Sequence, residues 1–172
     1  INGGTTTGDN NIAIGAYAGD ALTSGYNNVF MGKLAGTAAT SATQNVIIGS
    51  EAGEALATGV RNVLIGEKAG EALDDHYNVM IGFAAGYLSS AIQRSVFIGY
   101  AAGADAIKTS AANGTIGIGD HALNALTSGI GNVAVGFEAL DAEDDGDFNT
   151  AIGYQALTAQ TGVSGNVNNT AL

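Results

Sequence analysis

A nine-residue phrase, clear at Asn62-Val63-Leu64-Ile65-Gly66-Glu67-Lys68-Ala69-Gly70, recurs nine times and restricts this chain to repeat architectures. It reads Asn, a branched apolar residue, any apolar residue, Ile or a near relative, Gly, two variable residues, Ala, then Gly or Leu. Its first glycine falls at Gly15, Gly32, Gly49, Gly66, Gly82, Gly99, Gly119, Gly136 and Gly153, in steps of 17, 17, 17, 16, 17, 20, 17 and 17 residues. Self-similarity at such a period means one small structural unit, stacked so that each copy buries its apolar surface against the next.

Helices of roughly 10–14 residues fit poorly into a unit this short that is interrupted by glycines. The residues before each first glycine are rich in β-formers, as in Val29-Phe30-Met31, Val46-Ile47-Ile48 and Val96-Phe97-Ile98. By the strand period of two, one face holds pairs such as Ile12 and Ile14, Val46 and Ile48, Val63 and Ile65, and Val133 and Val135. The other holds Ala13, Phe30, Ile47, Leu64, Met80, Phe97, Gly117, Ala134 and Ala151. Both faces are mostly apolar, and a strand with two dry faces needs cover on both. One narrow coil covers one of them. The second is covered either by other chains, at a gain of roughly 25 cal/mol per Å², or by a loop of the same chain; the sequence favours a multimer. The expected fold class is all-β, a repetitive parallel β-roll or β-solenoid with about 17 residues per coil.

After the strand the chain must turn sharply, which a glycine does without penalty. Three residues further on stands alanine in every unit, from Ala18 to Ala156, the mark of an inward position where anything larger would overpack. Gly follows that alanine in the first six units and Leu (Leu123, Leu140, Leu157) in the last three, so two dialects exist. The exchange should thicken the coil or change its cross-section. Before each strand sits Asn11, Asn28, Asn45, Asn62, Asn78, Asn132 or Asn149, with Ser95 and Thr115 substituting. These positions are expected to cap turns and to form an amide ladder along the stack. The second half of each unit, such as Glu51-Ala52-Gly53-Glu54-Ala55-Leu56, reads as a short strand or as a single helical turn.

The chain divides into residues 1–10, a preceding coil or linker; 11–104, units of the Ala-Gly type; 105–114, a longer connection expected to bulge outward; and 115–172, units of the Ala-Leu type. Asn169-Thr170-Ala171-Leu172 echoes Asn149-Thr150-Ala151-Ile152 and reads as the start of a tenth coil. An opening Ile1 without a signal segment fits a piece excised from something longer. Nine coils at about 4.8 Å each would make a rod on the order of 40 Å long.

The 172 residues include Pro 0 and Cys 0, which excludes collagen, disulfide scaffolds and thiolate metal sites. A net charge of -11, with Lys+Arg 5, argues against nucleic acid as a partner. No apolar run reaches the roughly 20 residues of a membrane helix, so membrane insertion is not expected. His76 and His121 stand beside Asp75 and Asp120, far apart in sequence, and read as turn residues. The acidic run Asp141, Glu143, Asp144, Asp145 and Asp147 matches neither an EF-hand nor a calcium-binding nonapeptide and reads as a solvated turn. No nucleophile, base and acid can be grouped, and carboxylate pairs such as Glu51 and Glu54 recur only because the repeat does. No catalytic residue, metal or cofactor is expected, and the segment is not read as an enzyme. The candidate surface-binding residues are aromatic: Tyr17, Phe83, Tyr100, Phe137 and Tyr154 lie one or two positions after the turning glycine. They form either stripes for stacking on sugars or a protein receptor, or cover for seams between coils or chains.

The phrase Asn45-Val46-Ile47-Ile48-Gly49-Ser50-Glu51-Ala52, with Asn149-Thr150-Ala151-Ile152-Gly153-Tyr154-Gln155-Ala156-Leu157, resembles the repetitive shaft regions of bacteriophage tail fibres. It is also similar to the head of trimeric autotransporter adhesins, a left-handed β-roll, although those units are shorter. The resemblance covers residues 11–160 or so and implies a homotrimer of parallel rolls, with Val46 and Ile48 in the packed strand and Gly49 at the turn. The expected function is a structural and adhesive segment of an extracellular virion tail fibre that helps bind a cell-surface glycan or protein receptor. The alternatives are the head of a bacterial cell-surface adhesin and, from another class, a trimeric β-helix enzyme that degrades polysaccharide.

Overall fold

The computed structural model describes residues 7–106, 108–161 and 165–172. Parts of the sequence expectations for 1–10, for the 105–114 connection and for the last units fall on residues 1–6, Ile107 and 162–164, outside the described residues. Twelve short strands follow in chain order: β1 (Ile12–Ile14), β2 (Val29–Met31), β3 (Val46–Ile48), β4 (Val63–Ile65), β5 (Val79–Ile81), β6 (Val96–Ile98), β7 (Ile116–Ile118), β8 (Val133–Val135), β9 (Gly146–Asp147), β10 (Thr150–Ile152), β11 (Gly165–Asn166) and β12 (Thr170–Ala171). Ten of them form one parallel sheet in the order β1-β2-β3-β4-β5-β6-β7-β8-β10-β12, and β9 pairs with β11 in a second, two-stranded sheet. Each strand pairs with its counterpart one repeat later, as Val46↔Val63, Ile47↔Leu64 and Ile48↔Ile65. The molecule is therefore a parallel β-solenoid in which one 17-residue repeat makes one coil. Coils are numbered below by their first glycines, from Gly15 in coil one to Gly153 in coil nine.

The middle residue of the strand points inward. Phe30, Ile47, Leu64, Met80, Phe97, Ala134 and Ala151 are fully buried, together with the alanine column Ala35, Ala52, Ala69, Ala85, Ala102, Ala122 and Ala139. A third buried column, Leu22, Ala39, Leu56, Leu73 and Leu126, closes the coil. The flanking strand residues face outward and remain half-buried or exposed, with Ile12 and Ile14 at 52 % and 55 %.

The second half of the coil is neither the strand nor the helical turn that the sequence offered. It is a run of turns with left-handed corners, two and four residues after the first glycine. In coil four these are Lys68 (φ 60) and Gly70 (φ 57). A third left-handed residue, such as Arg61 (φ 57), precedes each coil's Asn. These corners aim peptide N–H groups along the stack, where Lys68 donates to Ser50 at 2.9 Å and Gly53 to Ala69 at 3.0 Å. Between stacked coils the corners are thus laddered although no strand is present, which satisfies backbone groups that the coil would otherwise bury unpaired. The first glycine is extreme, with φ of +132° to +140° in all nine coils, and a Cβ on Gly49 would overlap the carbonyl oxygen of Gly66.

The asparagine ladder forms. From Asn11 to Asn78 each Oδ1 that faces another Asn accepts from that residue's backbone N–H and side-chain amide, as Asn45 N and Nδ2 to Asn28 Oδ1, both at 3.0 Å. The Nδ2 of Asn11, Asn28, Asn45, Asn62, Asn78 and Asn132 donates across the coil to a carbonyl, Gly59 O for Asn45 at 2.8 Å, whereas the Asn149 Nδ2 is buried without a partner among the described residues. The ladder thins where Ser95 and Thr115 substitute: Thr115 N still reaches Ser95 Oγ, at 3.3 Å. It resumes from Asn132 to Asn149 and Asn169.

The longer coil six does not only bulge outward. Its insertion carries a 3₁₀ turn, Ser110–Ala112, and turns Lys108 and Ala112 into the interior. The Lys108 ammonium lies 5.7 Å from the Phe97 ring centroid and donates to Ala106 O at 3.4 Å. Burial lowers its pKa to about 7, opposed by the charge of Asp105.

Candidate functional site

The small side chains of the repeat leave a shallow hollow of about 490 Å³ over Thr37, Ala38, Glu54, Ala55, Glu71 and Ala72. Apart from it, among the described residues, two surfaces present continuous apolar or aromatic side chains to solvent. The first is the outward face of the ten-stranded sheet. Exact repetition of the register stacks like on like: Val46, Val63, Val79, Val96, Ile116 and Val133 form one ladder, and Ile48, Ile65, Ile81, Ile98, Ile118 and Val135 the other. Six strands at about 4.8 Å make a stripe roughly 25–30 Å long and about 10 Å wide, on the order of 300 Å² of continuous apolar side chains, the scale of the patches that often serve in interaction.

The second surface lies past the corner glycine. Of the aromatic candidates, Phe83 and Tyr100 stack across coils five and six with centroids 5.2 Å apart and planes at 12°. Tyr100 then meets the His121 ring at 5.6 Å, tilted by 50°. Phe137 and Tyr154 form a second stacked pair at 5.3 Å and 8°. Asp120 occupies the same column between the pairs, so they do not join into one stripe. Tyr17 is exposed in the neighbouring column, apart from either pair.

Beside the first pair the surface is cut by a groove of about 370 Å³. Its floor is Ala84 and Ala101, its walls Phe83 and Tyr100 on one side and Tyr87, Ala104 and Asp105 on the other, and its ends Lys68 and His121. The cause is a local change in the repeat. Two residues after the first glycine stand Tyr17, Leu34, Glu51, Lys68, Ala84, Ala101, His121, Glu138 and Gln155. Only coils five and six carry alanine there. At the second aromatic pair the column is filled, and Gln155 Nε2 donates to Glu138 Oε2 at 2.7 Å. Sequence reasoning chose the aromatic residues and passed over Ala84, Ala101 and Tyr87. Aligning the units on the first glycine exposes the missing bulk.

The groove ends carry charge. Lys68 Nζ lies 3.2 Å from Glu51 and 3.5 Å from Glu71, and 5.5 Å from the Tyr87 ring centroid. The hydrogen bond to Glu51, then the charge of Glu71, raise its pKa. His121 Nδ1 pairs with Asp120 Oδ1.

The remaining candidates stay dispersed. His76 Nδ1 accepts from the Val60 N–H at 3.0 Å, so each histidine has its own local partner. In the acidic run, carboxylate oxygens of Glu143, Asp144 and Asp145 lie within 4.8 Å of one another. Glu143 replaces a core leucine of its column and is buried, and its two oxygens accept from Gly146 N and Gln160 Nε2, each at 2.7 Å. Burial first, then Asp144 and Glu143, raise the pKa of Asp145; burial first, then Glu138, raise that of Asp141. The run reads as a turn capped by Glu143. Among the described residues no helix is long and apolar enough to cross a membrane.

No protein-family model matches the chain, and neither a curated protein nor a solved structure matches it. What the fold defines is a class: a structural repeat protein of the parallel β-solenoid type.

Proposed function

We propose that this chain is a rod segment of an extracellular fibre, assembled as a homotrimer, that positions or contributes to contact with a cell-surface receptor. The observation that carries the reading is the pair of outward Val/Ile ladders running without a break from β3 to β8. Three such stripes meeting about a common axis would bury their apolar surface and leave the turns and their acidic side chains outside, where like charge keeps fibres apart. Partners of stable oligomers hide continuous apolar strips of this kind, because burial at roughly 25 cal/mol per Å² outweighs the cost of association only when the strip is long. The repeat's resemblance to phage tail-fibre shafts, in Asn149-Thr150-Ala151-Ile152-Gly153, makes a virion fibre the particular setting we favour. The left-handed rolls of adhesin heads would serve the same physical purpose on a bacterial surface. No step of this reading involves catalysis.

Light scattering with small-angle X-ray scattering tests it. An elongated particle of three times 17.0 kDa, about 51 kDa, is expected. Ile65→Asp, which places a charge in the middle of one ladder, should reduce that mass to a single chain. A wild-type particle of 17.0 kDa overturns the trimer.

A further inference from the structure

We propose that the groove over Ala84 and Ala101 is a saccharide-binding site for one or two neutral pyranose rings. The inference rests on the adhesive part of the fibre reading and not on trimer formation. In a repeat protein the template explains whatever recurs, so a departure that creates a shaped surface calls for a separate cause. Here three departures coincide in adjacent coils. The column that carries long side chains elsewhere drops to alanine twice, the preceding column becomes the stacked Phe83 and Tyr100, and Tyr87 supplies the one aromatic ring in its own column. The floor alanines are 8 % and 7 % exposed, so the groove has a closed base and not a gap between coils.

Its dimensions and chemistry select the ligand. Two coil spacings give a length of about 10 Å, that of a disaccharide. The volume of about 370 Å³ lies in the range of small-molecule sites. The Tyr87 ring, the outward parts of the Phe83–Tyr100 stack and the alanine floor offer apolar contact to the C–H groups of a sugar ring. Tyr87, Asp105 and His121, which also line the groove, carry hydrogen-bonding groups for ring hydroxyls beside the bonds that Asp105 and His121 already make to Asn124 and Asp120. Lys68 is already engaged by Glu51 and Glu71, and the chain's net charge is -11, which together disfavour an anionic sugar. A shallow site of this kind binds weakly, and repetition along and around a fibre would multiply it.

The test is saturation-transfer NMR on the intact chain with galactose, glucose, N-acetylglucosamine and fucose, each free and as a neutral disaccharide. Transfer to the ring C–H protons of at least one of these sugars is expected. Restoring the repeat with Ala84→Lys and Ala101→Gln should reduce it about ten-fold or more. Those residues are tolerated by the backbone, since Lys68 and Gln155 take φ of 60° and 53° in the same column. Tyr100→Ala, at an exposed wall, should weaken transfer as well, and Phe137→Ala at the other pair should not. Absence of transfer from the whole panel overturns the site, as does transfer that survives the refilled groove. The particle mass, measured separately, reports on the trimer alone.

Discussion

Coils two to six and coils seven to nine fill the same interior from opposite walls. In the earlier region Phe30, Leu64, Met80 and Phe97 reach across from the strand and lie against glycine; a Cβ on Gly53 would sit 2.8 Å from Leu64 Cδ1, and one on Gly103 2.8 Å from Phe97 Cδ1. In the later region the strand centre shrinks to Gly117, Ala134 and Ala151, and the opposite wall supplies Leu123 and Leu140, both fully buried, with Leu157 packed on the core. From the sequence the expectation is a thicker coil or a changed cross-section; the buried side chains show an exchange of bulk between walls. The exchange has a conformational cost. Leu123, Leu140 and Leu157 take φ of 56°, 51° and 53° in a region that penalises leucine by about 1–2 kcal/mol. Burying the side chain, worth about 1.5–3 kcal/mol, offsets it. Bulk is thus exchanged between these two columns while the alanine column between them stays fixed, as close packing requires.

The largest expected effect sets the limit of this contrast. Gly49→Ala and Gly136→Ala should each lose roughly 4 kcal/mol or more in chemical denaturation, since both meet the next coil's backbone in a glycine-only conformation. Equal losses would show that this corner is common to the two regions; a mild effect in one would separate them further. Next comes the exchange itself. Leu140→Gly should cost about 2–5 kcal/mol through the cavity it leaves, and Ala134→Leu about 1–3 kcal/mol through overpacking. Together they rewrite coil eight in the earlier style, and the double variant should lie within about 1 kcal/mol of wild type. Additive losses would break the volume argument.

Lys108, at the junction of the regions, gives a pH-dependent test. Its folded pKa of about 7 lies below the ordinary 10.5, so between these values the unfolded chain holds a proton that the folded chain has released. Stability should rise with pH across that window, and the full penalty should apply below pH 7. Lys108→Met is expected to stabilise by roughly 1–4 kcal/mol in acid and to flatten the profile of melting temperature against pH. An unchanged profile would remove Lys108 from the interior. The smallest effect concerns the ladder. Asn62→Ala strips the acceptor from the Asn78 N–H and side-chain amide, at about 1–3 kcal/mol, whereas Ser95→Ala, where the ladder is already thin, should cost about 1 kcal/mol or less.

Much of the coil was legible before the structure. Strands such as Val46–Ile48, the inward alanine column and the asparagine ladder follow from period-two patterning inside a fixed repeat, because parallel stacking at one repeat per coil places equal positions on equal positions. The corners were not legible. Leu34, Glu51 and Lys68 have no propensity for left-handed backbone, and their conformation is held by hydrogen bonds to the neighbouring coils. The groove was half legible. Phe83 and Tyr100 stood out by residue type, but Ala84 and Ala101 signified nothing until their column proved to point at the surface.

The sequence by itself determined the repeat, the parallel stacking and the two apolar faces of each strand, since these depend only on spacing and residue class. Tertiary structure alone decided which face turned inward, how glycine and leucine could share one column, and where a lysine could be buried. Those outcomes depend on the volume enclosed by a closed coil and on the bonds its neighbours offer, and both exist only once the coils have stacked.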